Sequence, residues 1–203
     1  MKIAQTLFVF AFLLLAIPVF AQDENSWEFG LEANFYKLSD RTYLNPVISA
    51  DKNQFHVEAR YNYEDLNTGS LFGGYNLSGG DALEFSVTPI VGAVFGNSDG
   101  IAPGFLIDLN YGRFSFSSEG EYFFSSDGKE SNFFYSWSEL FYSPADWIWF
   151  GMAGQRTRAY ETDLKIQRGI ALGFGKENFA ITGYIMNIGW DDVFGVVSVG
   201  YSF

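Results

Sequence analysis

The chain has no cysteine, one histidine, five prolines and only 12 lysines and arginines in 203 residues. Each shortage excludes something. Without cysteine there are no disulfides and no thiolate metal centre. With 24 acidic residues and a formal charge of −12, the protein repels a nucleic-acid backbone, and that class of partner is set aside. After the first twenty or so residues no apolar run is long enough for a spanning helix, and no helical periodicity appears. There is no phosphate-binding glycine loop, no zinc pattern and no nucleophile elbow. Asn97-Ser98-Asp99-Gly100 begins like a calcium loop but lacks the acid that would close it, so it reads as a glycine turn. No cofactor and no metal are expected.

What the chain has is aromatic side chains: 23 Phe, 12 Tyr and 5 Trp, a fifth of all residues. The start, Met1 to Ala21, reads as a secretory signal peptide. Lys2 is its positive end, Leu7 to Phe20 its apolar core interrupted by Pro18, and Val19-Phe20-Ala21 before Gln22 its cleavage site. Residues 22–203 then form one domain. From Ser26 onward the pattern has period two, the side-chain period of a β-strand. Gln54 to Glu64 shows it best: Phe55, Val57, Ala59, Tyr61 and Tyr63 face one way, and His56, Glu58, Arg60, Asn62 and Glu64 the other. The closing stretch, Val193 to Phe203, alternates in the same way and ends on an aromatic.

In a soluble protein that tail would be an unprotected edge. In a barrel it has a partner, the first strand. Its Tyr201-Ser202-Phe203 end resembles the terminal strand of bacterial outer-membrane β-barrels, where Tyr-x-Phe is the usual insertion signal. Q-F-H-V-E-A-R-Y-N-Y-E-D (Gln54–Asp65) and N-F-F-Y-S-W-S-E-L-F-Y-S-P (Asn132–Pro144) are similar to segments of a family of small outer-membrane barrels of Gram-negative bacteria. The resemblance implies the outer membrane as location, and lipid, lipopolysaccharide and the barrel assembly machinery as partners. It brings no catalytic residues.

The expected fold is a closed antiparallel transmembrane β-barrel of twelve strands, with ten as the alternative. Parity decides between readings. Single-chain bacterial barrels have an even strand number, with short periplasmic turns and longer outer loops. With Phe203 on the periplasmic side, twelve strands require Tyr43 to Ala50 to be a strand despite Pro46, which cannot donate to a ladder. Trp27, Tyr63, Tyr111, Tyr122, Trp147, Trp190 and Tyr201 are expected in interfacial girdles.

Alternation sends Glu28, Glu32, His56, Glu58, Arg60, Asn62, Glu84, Asp108, Arg113, Glu119, Glu121 and Glu139 to the lumen as pore-lining residues, with Arg60 and Arg113 paired to glutamates. An acid-lined wall suits a narrow passive channel for small polar or cationic solutes. A non-conducting structural or adhesive barrel, working through its outer loops, is the alternative. A lipid-modifying enzyme is the least supported reading. His56 would be the base, but it lies near the periplasmic end and points inward. No serine lies beside it in a matching motif, and a cross-strand serine such as Ser49 is left as a partner. Arg156, Arg158, Lys165 and Arg168 are expected at the outer rim.

Overall fold

The computed structural model describes residues 26–158 and 165–203; the expected signal peptide lies outside them. Among the described residues thirteen strand segments follow one another, with a single short 3₁₀ turn at Lys129–Ser131. They are β1 (Glu28–Lys37), β2 (Thr42–Lys52), β3 (Phe55–Tyr61), β4 (Thr68–Tyr75), β5 (Leu77–Gly79), β6 (Leu83–Gly96), β7 (Gly100–Tyr111), β8 (Phe114–Ser125), β9 (Phe133–Ala145), β10 (Ile148–Arg156), β11 (Gln167–Lys176), β12 (Phe179–Met186) and β13 (Phe194–Ser202). Segments β4 and β5 are two parts of one strand, since both pair with β6. Every strand lies antiparallel to its chain neighbours, and β1 lies against β13. The result is a closed barrel of twelve strands.

Closure is physical necessity for a sheet in lipid, where an unpaired backbone group has no water to turn to. The seam is complete to the last residue. Phe29 N–H donates to the Phe203 carbonyl at 2.8 Å, and Phe203 N–H donates back at 2.9 Å. The two rings stack 5.5 Å apart. The start of β1 and the end of β13 therefore sit at one end, the terminal end, as the even strand number requires. That end carries the tightest turns, with Asn53, Gly112 and Glu177 in left-handed conformations at the β2–β3, β7–β8 and β11–β12 corners. The opposite end carries most of the longer connections.

Pro46 does sit in a strand. It pairs with Ala33 of β1, but the ladder from β2 to β3 stops one residue away, at Val47 opposite Arg60. Beyond it, side chains replace the ladder: Asn62 Nδ2 donates to the Leu44 carbonyl at 2.8 Å, and Asn45 Nδ2 reaches the Asn62 carbonyl at 3.5 Å. Pro144 is accommodated differently, at a register shift between β9 and β10.

The outer face is apolar on every side. Phe55, Leu71, Val91, Ile101, Met152, Ile170 and Ile185 are each more than half exposed, which is tolerable only against hydrocarbon. Among the expected girdle residues, Trp27, Tyr111, Tyr122, Trp147, Trp190 and Tyr201 are exposed, but Tyr63 is 6% exposed and points inside. The reason is local. Asn62 takes a left-handed conformation at φ 59°, which ends β3 at Tyr61 and turns the chain inward before the alternation can continue.

One glycine shows how the interior is fitted. Trp149 of β10 projects inward and lies across Gly173 and Gly175 of β11; a Cβ on Gly173 would collide with the indole nitrogen and its ring. Gly173→Val is therefore expected to cost about 1–3 kcal/mol by forcing Trp149 off its site, read as a lower urea midpoint for the barrel in detergent.

Candidate functional site: an acidic, aromatic-ended barrel interior

Strand β3 supplies the centre of the site. His56, Glu58 and Arg60 alternate inward from it, each less than a tenth exposed. Arg60 Nη1 lies 3.3 Å from Glu121 Oε2, Nη2 lies 3.9 Å from Glu119 Oε2, and Nε is bonded to Glu58 Oε1. Its guanidinium is also held between two rings, 4.4 Å from Tyr63 and 4.4 Å from Phe72. Phe72 can lie there because β6 has Gly92 beneath it, where a Cβ would strike the ring. A buried cation is tolerable only with partners this close.

The loop between β3 and β4 completes the cluster. Tyr63 packs tilted against Tyr135 at 4.8 Å between centroids, and Glu64, fully buried, accepts from Ser70 Oγ at 2.6 Å. Toward the end bearing the termini, His56 Nδ1 meets Asp51 Oδ1 at 2.9 Å and Nε2 meets Glu58 Oε2 at 3.4 Å. Asn76, at the break between β4 and β5, donates to the same Asp51 oxygen and accepts from Thr88. His56 thus lies between two carboxylates, while Ser49 is paired with Glu58 across the β2–β3 ladder.

A cavity of about 670 Å³ runs from the terminal end into the barrel. Glu32, Glu58, Asp108, Glu119 and Glu139 line its length, and Asp146 and Glu177 its mouth; Lys176, at the mouth, is the one base among its lining residues. Glu32 accepts from Asn34 at 2.6 Å, Glu119 from the Tyr135 hydroxyl at 3.3 Å, and Glu139 from the Trp137 indole at 2.7 Å. The cavity ends at Tyr36, Tyr63, Tyr135 and Trp137. Around them two buried clusters fill interior space. One contains Tyr36, Phe141, Tyr184, Met186 and Phe194, the other Tyr63, Phe72, Phe123, Phe133 and Tyr135. Trp137 packs against both.

Of the residues expected to line the lumen, Glu32, His56, Glu58, Arg60, Asp108, Glu119, Glu121 and Glu139 face the barrel interior. Glu28 and Glu84 are on inward positions near the terminal end, paired with Asp51 and Asn110. Two are placed elsewhere. Arg113 is in the β7–β8 turn, where it donates to the Ser143 carbonyl at 3.0 Å and lies 4.0 Å from Asp146, so it pairs with an aspartate at the rim and not with a glutamate inside. Asn62 serves the β2 edge as a turn residue. Sequence reasoning missed the inward Tyr63, Phe72, Trp137 and Trp149. Asn62 and Asn67 flanking Tyr63 were the available signal, since asparagine favours the left-handed conformation both adopt. At the far rim, Arg158 donates to the Ser131 carbonyl at 2.9 Å and Arg168 lies 6.0 Å from the Trp190 ring.

The chain matches no protein-family model and no curated protein. Its structure is similar to that of the KdgM porin, with a TM-score of 0.64 and 16% identity over 86% of this chain and 99% of that one. What the two share is the fold, a closed antiparallel β-barrel. The same similarity holds for the KdgM porin solved in complex with disordered oligogalacturonate, again at TM-score 0.64 and 16% identity over 86% of this chain and 99% of that one. A weaker likeness to OpdQ of Pseudomonas aeruginosa, at TM-score 0.43 and 9% identity, covers 91% of this chain and 59% of that one.

The cluster at Arg60 makes a sharp demand. Arg60→Met leaves Glu58, Glu119 and Glu121 without their cation, and is expected to destabilise the barrel by about 3–5 kcal/mol. The loss should shrink as pH falls and the carboxylates take up protons, which chemical unfolding at several pH values measures.

Proposed function

We propose that the protein is a narrow outer-membrane channel for small polar or cationic solutes, with the terminal end in the periplasm. The observation that carries this is the cavity wall, which presents seven carboxylates and one lysine. In a confined, low-dielectric passage such a wall concentrates cations and repels anions. Glu32 and Asp108, exposed within the barrel, are its wetted part. Arg60 does not offset the wall, because it is spent on Glu58 and Glu121 and almost fully covered. The KdgM porin has been solved with oligogalacturonate, an anionic sugar chain. An acidic wall favours the opposite charge, so the shared fold goes with a different cargo.

Conduction in planar bilayers tests the reading. The expected result is a small conductance whose reversal potential in a salt gradient reports preference for potassium over chloride. Glu119→Gln with Glu139→Gln should reduce that preference. Tyr63→Ala, which opens the inner end of the cavity, should raise the unitary conductance about twofold or more. Silence at every salt concentration and voltage would remove the channel. The second reading, a non-conducting barrel acting through its outer loops, draws on the two aromatic clusters that fill interior space. It predicts that silence.

A further inference from the structure

We propose that the cavity is a binding site for an organic cation carrying guanidinium or primary ammonium groups on an aliphatic stem; this rests on the channel reading only for how the cation arrives. The barrel already contains one example of the chemistry. Arg60 is a guanidinium held between two aromatic faces and three carboxylates. The adjoining cavity is made of the same materials with no side-chain cation at its centre. Its inner end is Tyr36, Tyr63, Tyr135 and Trp137, Trp149 stands on its wall, and Glu32, Asp108, Glu119 and Glu139 surround the space. Glu58 and Glu119 belong to both sites. Arg60 Nη2 makes no hydrogen bond and stands 3.9 Å from Glu119, so the arginine does not close Glu119 off from the cavity side.

Two features select an organic cation over an inorganic one. Aromatic faces attract weakly hydrated cations, which give up little water to reach a ring; a metal ion keeps its shell. Among the described residues no three carboxylates or histidines are grouped closely enough to hold a metal. Acids spread along a cavity instead match a ligand that is itself extended and charged at both ends. Small residues on one side, Gly30, Ser49, Ser198 and Gly200, leave the room, and about 670 Å³ is ample for a small molecule.

Agmatine, which has a guanidinium and an ammonium on a four-carbon stem, is the probe. The full barrel in detergent is titrated with agmatine, butylammonium and potassium at constant ionic strength, by calorimetry and by tryptophan fluorescence, since Trp137 and Trp149 line the cavity. The expected result is saturable agmatine binding, about tenfold tighter than butylammonium. Glu139→Gln should weaken it by a similar factor, and Glu139→Asp should restore part of the loss. Agmatine binding no tighter than potassium, or unaffected by Glu139→Gln in a folded barrel, overturns the proposal. If the glutamine variant does not fold, the wild-type comparison decides alone. Binding in detergent needs no transport: a barrel that conducts without binding agmatine refutes this site alone, and one that binds without conducting refutes the channel alone.

Discussion

Everything in this barrel depends on the pairing of its first strand with its last. In hydrocarbon an unpaired N–H or C=O has no substitute partner, so the sheet must close, and β1 against β13 is where it closes. Closure fixes the even strand number and puts the start of β1 and the end of β13 at one end. It also assigns the faces: with alternate side chains committed to lipid, the remainder must share a narrow interior. The Phe29–Phe203 stack adds a side-chain clasp to the backbone seam.

That interior is filled by two kinds of group that ordinarily exclude each other. Carboxylates outnumber bases, and aromatic rings take up much of the remaining space. Arg60 reconciles them, since a guanidinium can pair in its plane and stack on its faces. Lysine would supply the charge without the stacking geometry. Glycines make the arrangement fit, with Gly92 under Phe72 and Gly173 under Trp149. In each case the ring occupies the space a cross-strand side chain would have filled.

The wall was legible in the sequence because period two is unambiguous where one face is apolar. Glu58 and Arg60 on β3 are of this kind, as is the closing strand. Pro46 could be placed by parity alone, although its local signal was poor. What alternation cannot reveal is a residue that leaves the strand. Tyr63 continues the apolar phase of β3 on paper, yet the left-handed Asn62 sends it inside. Arg113 fails for the complementary reason, sitting on a corner where neither face is defined. Strand β9 carries aromatics on both faces, so Trp137 and Tyr135 could not be separated from Phe134 and Leu140 without the fold. The aromatic abundance pointed to lipid, but a good share of it is packed within.

The cavity opens at one end of the barrel and stops at a layer of rings, with seven carboxylates among its lining residues. An electric field applied along the axis therefore meets a different sequence of obstacles in each direction. Driven from the terminal end, a cation is first gathered by carboxylates and then meets the rings. Driven from the loop end, it meets the carboxylates of the loops, such as Asp127, Asp191 and Asp192, and then the rings before it reaches the cavity wall. Any current the barrel carries is on this account unequal at opposite voltages, the behaviour of a rectifier.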